Sequence, residues 1–227
     1  MRIGGFQATT FADFPGEVAA IIFTVGCNLR CGYCHNSQLV TPRQKTDLIP
    51  TAKVMDTLKE RSTRLTGVVF TGGEPLLQPD VLEHCRILKD LGYRIKLDSN
   101  GTHPLRLTQA IQSGLIDYVA LDVKDVPGKP PRYGPCLAPE CLQESINLVI
   151  SSGIAHEFRT TVSATLHDTS RLCAIADTIQ GGKQWWLQRL RPSTFLDPNF
   201  PEAPLDNRSL EAVQDYAASI HLPCSVR

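Results

Sequence analysis

From residue 18 to residue 220, short apolar runs rich in β-branched residues alternate with stretches of helical period, and few folds accommodate such a chain. The runs are Val18 to Val25, Gly67 to Thr71, Tyr93 to Leu97, Asp117 to Leu121, His156 to Val162 and Trp185 to Arg191. Between and after them, helices are expected at Thr51 to Ser62, Pro79 to Leu91, Pro104 to Ser113, Glu140 to Ser152, Thr169 to Ile179 and Asn207 to Ile220. The helices carry matching signals: Val54 and Leu58 four apart, a face of Leu82, Cys85 and Leu88, and another of Leu172, Ala176 and Ile179. Near-continuous apolar runs belong to strands buried on both faces, and strand–helix alternation implies right-handed βαβ units with a parallel sheet. Six units fit an α/β fold, a single open (β/α)6 partial TIM barrel, short of the eight of a closed barrel. Residues 3–16 read as a strand edge with a Pro15-Gly16 turn. Residues 1–227 are expected to form one domain, the Pro-rich stretch from Pro192 to Pro204 being too short for another.

Composition narrows the class. Lys plus Arg equals Asp plus Glu, 23 against 23, which implies no basic field for nucleic acid and no acidic tail. Residues 1–7 lack a signal-peptide pattern, and no segment approaches the roughly 20 apolar residues that span a bilayer, so a cytoplasmic address is expected. Eight cysteines in so long a chain, with no secretion signal, read as thiols kept reduced for metal rather than as disulfides.

Three of those thiols, Cys27, Cys31 and Cys34, stand at C-x3-C-x2-C spacing directly after the first apolar run. Tetrahedral zinc wants four ligands, and His35 follows Cys34 too closely to be the fourth. A four-iron cluster held by three thiolates keeps one iron without a protein ligand, so another molecule can bind there. Gly72-Gly73-Glu74-Pro75, Asp98-Ser99-Asn100-Gly101 and Asp122-Val123-Lys124 also follow predicted strands, and in a parallel barrel those ends share one face. Gly72-Gly73 can be a plain turn or a place where backbone approaches a ligand, with Glu74 accepting from an ammonium. Asp98 and Asp122 read equally as helix caps or, beside Lys124, as a ligand or cation site.

Together these motifs resemble the radical S-adenosylmethionine (SAM) enzymes, over nearly the whole chain. The resemblance implies that Cys27, Cys31 and Cys34 hold one 4Fe-4S cluster whose fourth iron is chelated by SAM. It further implies that Gly72, Gly73 and Glu74 bind the SAM amino group, that Tyr33 packs near the adenine, and that no catalytic side chain is needed beyond cluster and SAM. Tyr33-Cys34-His35-Asn36, Asp13-Phe14-Pro15-Gly16, the Asp98-Ser99-Asn100-Gly101 turn and Asp122-x-Lys124 are similar to the glycyl-radical-enzyme activases. The short length and the Gly4-Gly5 opening point within them to anaerobic ribonucleoside-triphosphate reductase activating proteins, with pyruvate formate-lyase activating enzyme the other close relative. The resemblance to the latter implies that Asp98, Ser99, the Ala120 carbonyl and Asp122 hold a monovalent cation, that Lys124 reaches the SAM carboxylate, and that Arg159 faces the SAM pocket. The implied partners are a glycyl radical enzyme as protein substrate and an electron donor such as flavodoxin or ferredoxin, with no nucleic acid and no membrane.

The match has departures. The His that contacts SAM from a late strand of pyruvate formate-lyase activating enzyme has no counterpart, Gln188 and Arg191 standing in that region. The stretch from His35 to Ile49 is too short for the ferredoxin-like insertion of other activases, so one cluster is expected. Cys85 and Cys173 read as small core residues, while Cys136 and Cys141 could be half of a second cluster site only with help from Cys173 or Cys224. Trp185-Trp186 read as either core or partner-facing. Competing readings are a radical SAM enzyme acting on a small molecule, such as a 7-carboxy-7-deazaguanine synthase-like enzyme, and an iron–sulfur electron carrier, which should have a fourth cysteine.

Overall fold

The computed structural model describes residues 1–40, 48–127, 139–191, 194–201 and 203–227. Its contacts divide the chain into two compact units, the first formed by Met1–Asn28, Asn36–Ser99 and Leu105–Val119, the second by Leu29–His35, Asn100–Pro104 and Ala120–Arg227.

The first unit is built on β1 (Ile3–Thr10), β2 (Ala19–Thr24), β3 (Gly67–Gly72) and β4 (Arg94–Ser99). Ala19 to Ile22 are all buried, the both-faced burial their apolar run foretells. β2 and β3 are parallel and in register from Ala19 opposite Gly67 to Thr24 opposite Gly72, so both strands end level. β3 and β4 continue the parallel pairing from Gly67 opposite Arg94 to Phe70 opposite Leu97. β1 lies antiparallel to β2 as an edge, with register shifts after Ile3 and after Gln7. Phe14, only 1% exposed, plugs the start of the strands beside Ala19, Ile21 and Val69, and its ring lies 5.8 Å from that of Tyr118. A side chain at Gly67 would meet that plug at 2.8 Å.

Helices α1 (Ser37–Val40), α2 (Thr51–Arg61), α3 (Val81–Asp90) and α4 (Pro104–Gln112) follow, Pro104 alone belonging to the second unit. α2 buries Val54 and Leu58 as its spacing requires. α3 begins two residues later than its apolar pattern suggests, with a 3-10 turn at Pro75–Leu77 ahead of it. Its buried face is therefore Val81, Cys85 and Leu88, and Leu82 is only half-buried.

Strand β5 (Tyr118–Asp122) belongs to both units, Tyr118 and Val119 to the first and the rest to the second. The second unit adds α5 (Pro139–Ser152), β6 (Ala155–Val162), α6 (Thr169–Thr178), β7 (Trp185–Arg189), α7 (Asn207–Ser219) and β8 (Cys224–Val226). β6 pairs in parallel with β7, and β7 with β8. Asp168 and Asp206 cap α6 and α7, accepting from Arg171 N at 2.8 Å and Ser209 N at 2.9 Å. Trp185 is wholly buried and donates to Thr160 Oγ1 at 2.9 Å, whereas Trp186 is half-buried under the Arg227 guanidinium, 4.8 Å from its ring. Strand β8 and helix α1 were not anticipated. No helix among the described residues is long and apolar enough to cross a membrane.

Candidate cofactor site

The level ends of β2 and β3 leave little room between their continuing backbones. Gly73 N donates to Thr24 O at 2.9 Å and Glu74 N to Gly26 O at 2.8 Å. A Cβ on Gly73 would fall 2.1 Å from Gly26 O, and one on Gly72, whose φ is +114°, 2.5 Å from Thr24 N. Both positions therefore require glycine. Glu74 follows at once, fully buried, and its Oε1 accepts from Leu76 N at 3.0 Å and from Ser99 Oγ at 3.1 Å. The carboxylate thus caps the 3-10 turn and ties Ser99 to it within the first unit. Asp98 turns toward Lys96, 3.6 Å away, a buried lysine that sequence reasoning missed although two residues apart on a strand share a face.

The second unit holds Leu29–His35, with Cys31 and Tyr33 buried and Cys34 half-buried. Cys34 N donates to Cys31 O at 3.0 Å, closing a tight turn. Asp122 Oδ1 accepts from Arg159 Nε at 2.8 Å, and its Oδ2 from Lys124 Nζ at 3.1 Å. Burial works against the charge on Asp122, yet Arg159 and then Lys124 outweigh it and bring its pKa down to about 2. Burial likewise opposes the Lys124 ammonium, but Asp122, with smaller contributions from Tyr33 and Cys31, holds its pKa well above the usual lysine value. Asp122, Lys124 and Arg159 are therefore one bonded group, and the Lys124 charge is felt by Tyr33 and Cys31.

Further charges extend it. Arg159 Nη1 lies 4.0 Å from buried Glu157, which Arg227 approaches at 3.7 Å. Asp125, next after Lys124, is buried under a bidentate grip from Arg171, and His167 Nε2 lies 3.1 Å from Lys124 O. The roles of Asp125, Arg171 and His167 had no signal in spacing, since their partners are 46 and 43 residues apart.

The predicted ligand sets are shared between the units: Cys27 falls in the first, Cys31 and Cys34 in the second, Asp98 and Ser99 in the first, Ala120 and Asp122 in the second. Among the described residues no three His, Cys, Asp or Glu side chains converge as a single ion would need. An iron–sulfur cubane asks for less, since each thiolate binds its own iron. Within the second unit the donors fit that group: Cys31 and Cys34 are joined by a tight turn, and the Lys124 ammonium feels the charge of Cys31. Burial disfavours the thiolate form at three of the other cysteines. Burial pushes Cys85 and Cys224 up to about 12 and raises Cys173, while Cys136 lies outside the described residues.

Residues 21–166 match the model of the radical SAM superfamily. A Methanocaldococcus jannaschii protein provisionally named a glycyl-radical enzyme activating enzyme is 29% identical over 209 residues, 89% of this chain and 85% of that one. The pyruvate formate-lyase-activating enzyme of Clostridium pasteurianum is 30% identical over 131 residues, 55% of this chain and 53% of its own length. A 7-carboxy-7-deazaguanine synthase of Clostridium acetobutylicum matches over 88 residues at 33%, covering 38% of this chain and 39% of that one. Among solved structures, a radical SAM methyltransferase from Sphaerobacter thermophilus superposes with a TM-score of 0.72 at 16% identity, over 96% of this chain and 68% of that one. The chain belongs to the radical SAM superfamily. It is an enzyme with that family's open, mixed α/β partial-barrel fold, as the strand–helix alternation foretold, and the family implies a 4Fe-4S cluster and SAM.

Proposed function

We propose that residues 1–227, as a single radical SAM domain in the cytoplasm, activate a glycyl radical enzyme, most closely an anaerobic ribonucleoside-triphosphate reductase. The observation that carries this reading is the match to the Methanocaldococcus jannaschii activating enzyme over 89% of the chain, where the small-molecule enzymes match in shorter stretches. The Tyr33-Cys34-His35-Asn36 run and Asp122-x-Lys124 support the same choice.

In this reading Cys27, Cys31 and Cys34 hold the cluster. Glu74, fixed by Ser99 and Leu76, receives the SAM amino group between the bare backbones of Gly72 and Gly73. Lys124 faces the SAM carboxylate, Arg159, bonded like Lys124 to Asp122, faces the SAM pocket, and Tyr33 packs near the adenine. A monovalent cation at Asp98, Ser99, the Ala120 carbonyl and Asp122 belongs to the same reading. When bound, cluster and SAM would supply the one-electron reductive cleavage of SAM, with methionine and 5′-deoxyadenosine as products once a glycine Cα has given up its hydrogen. The protein side chains bind, orient and exclude water, which is why no nucleophile–base pair is needed. A flavodoxin or ferredoxin would deliver the electron.

The test is anaerobic reconstitution with iron and sulfide, then reduction with SAM present. Expected are 5′-deoxyadenosine and, on adding the reductase, a glycyl radical doublet in electron paramagnetic resonance. Cys31→Ala should abolish both. Full activity in that variant would sink the reading, and a radical only on pyruvate formate-lyase would reassign the partner.

A further inference from the structure

The Pro-rich segment after β7 had no role in the sequence, yet its described residues close over the cysteine loop within the second unit. Asp197 N donates to Gly32 O at 2.9 Å. The Phe200 ring tilts against Tyr33 with centroids 5.7 Å apart, and a Cβ on Gly32 would approach Phe200 to 2.9 Å. Phe195 meets the His35 ring edge-on at 5.4 Å and Phe200 at 5.8 Å. Both ends of the segment are tied down: Arg191 O lies 3.0 Å from His35 Nε2, and Ala203 O accepts from Ala164 N at 2.8 Å and Ser163 Oγ at 2.9 Å.

A short irregular loop keeps one shape only if something packed on it offsets the entropy of ordering it. We propose that Phe195 and Phe200, with the Asp197–Gly32 hydrogen bond, act as a clamp on the cysteine loop. They are positioning residues that hold Cys31 and Cys34 in ligating form and slow loss of the cluster. Gly32 is the matching surface, because only its bare backbone admits the Phe200 ring. This rests on the cluster reading above.

The experiment follows ferrous iron released to a chelator from anaerobically reconstituted protein, together with hydrogen exchange of the apoprotein. Phe200→Ala should release iron about 10- to 100-fold faster, the range found when groups supporting metal ligands are removed, with most of the loss restored in Phe200→Leu. In the apoprotein, exchange should quicken in Leu29–His35 while β6 and β7 stay protected. Gly32→Ala should match Phe200→Ala, and the two together should not add, since the added methyl collides only with that ring. Unchanged release and exchange in Phe200→Ala, or fully additive effects, would overturn the clamp. If wild-type protein takes up no iron, the cluster reading itself fails, whatever the variants do.

Discussion

Asp122 stands between two cations, and its low pKa makes it an acid-sensitive fastener. With the folded value near 2 and an ordinary one near 4, its contribution to stability is complete above about pH 4 and is lost as the pH falls through 2. Asp122→Asn should therefore cost roughly 2 kcal/mol at neutral pH and flatten the acid limb of the stability curve, as read by urea melts from pH 2 to 7. A wild-type acid limb retained in the variant would show that another carboxylate is responsible. Asp125 and Arg171 form the neighbouring pair, and Asp125→Ala removes the buried carboxylate that grips the half-buried Arg171 guanidinium with two hydrogen bonds. That variant should lose about 3–5 kcal/mol, measurable as a drop in Tm of the apoprotein. Of these two pairs only the first was legible in the chain, because Asp122 and Lys124 sit two apart at a strand end while Asp125 and Arg171 meet across a whole βα unit.

Each element of the fold was readable to the degree that its burial left a pattern. β2 and β3 are buried along most of their length and form near-continuous apolar runs, whereas β4, β6 and β7 mix apolar with charged or polar residues and were visible through their alternation with helices. β8, three residues long, and α1, four, are too brief to set a period, while β1 forms as the edge strand read in residues 3–16. The clamp of Phe195 and Phe200 sits in irregular chain, where no periodicity exists to betray a packing partner. The Gly-Gly-Glu stretch was read either as a plain turn or as backbone open to a ligand; what the chain itself requires there is room for Gly26 O, which a Gly73 Cβ would meet at 2.1 Å. Gly73→Ala should push the two backbones apart and remove SAM cleavage, while Phe14→Ala, distant in sequence and purely core, should cost about 3–5 kcal/mol of stability. Assays of 5′-deoxyadenosine and Tm on both variants separate the two effects. Normal SAM cleavage in Gly73→Ala would refute a role for that turn in cofactor binding.

At the scale of the molecule, 23 basic against 23 acidic residues leave no net field to steer a large partner from afar. Association with a glycyl radical enzyme should then change little in rate between low and physiological salt, as followed by stopped-flow or surface binding, and a steep salt dependence would point to a local charged patch instead. The high pKa values of Cys85 and Cys224 have a practical use. Near neutral pH both thiols are held protonated by burial, Cys85 wholly out of reach of alkylating reagents and half-buried Cys224 slowed, as long as the chain around them is folded. Cys85 lies in α3 of the first unit and Cys224 in β8 of the second, so brief alkylation followed by peptide mass measurement reads the opening of each unit on its own label. The protein therefore carries a built-in pair of unfolding gauges, and a destabilising substitution can be traced to one unit without an added probe.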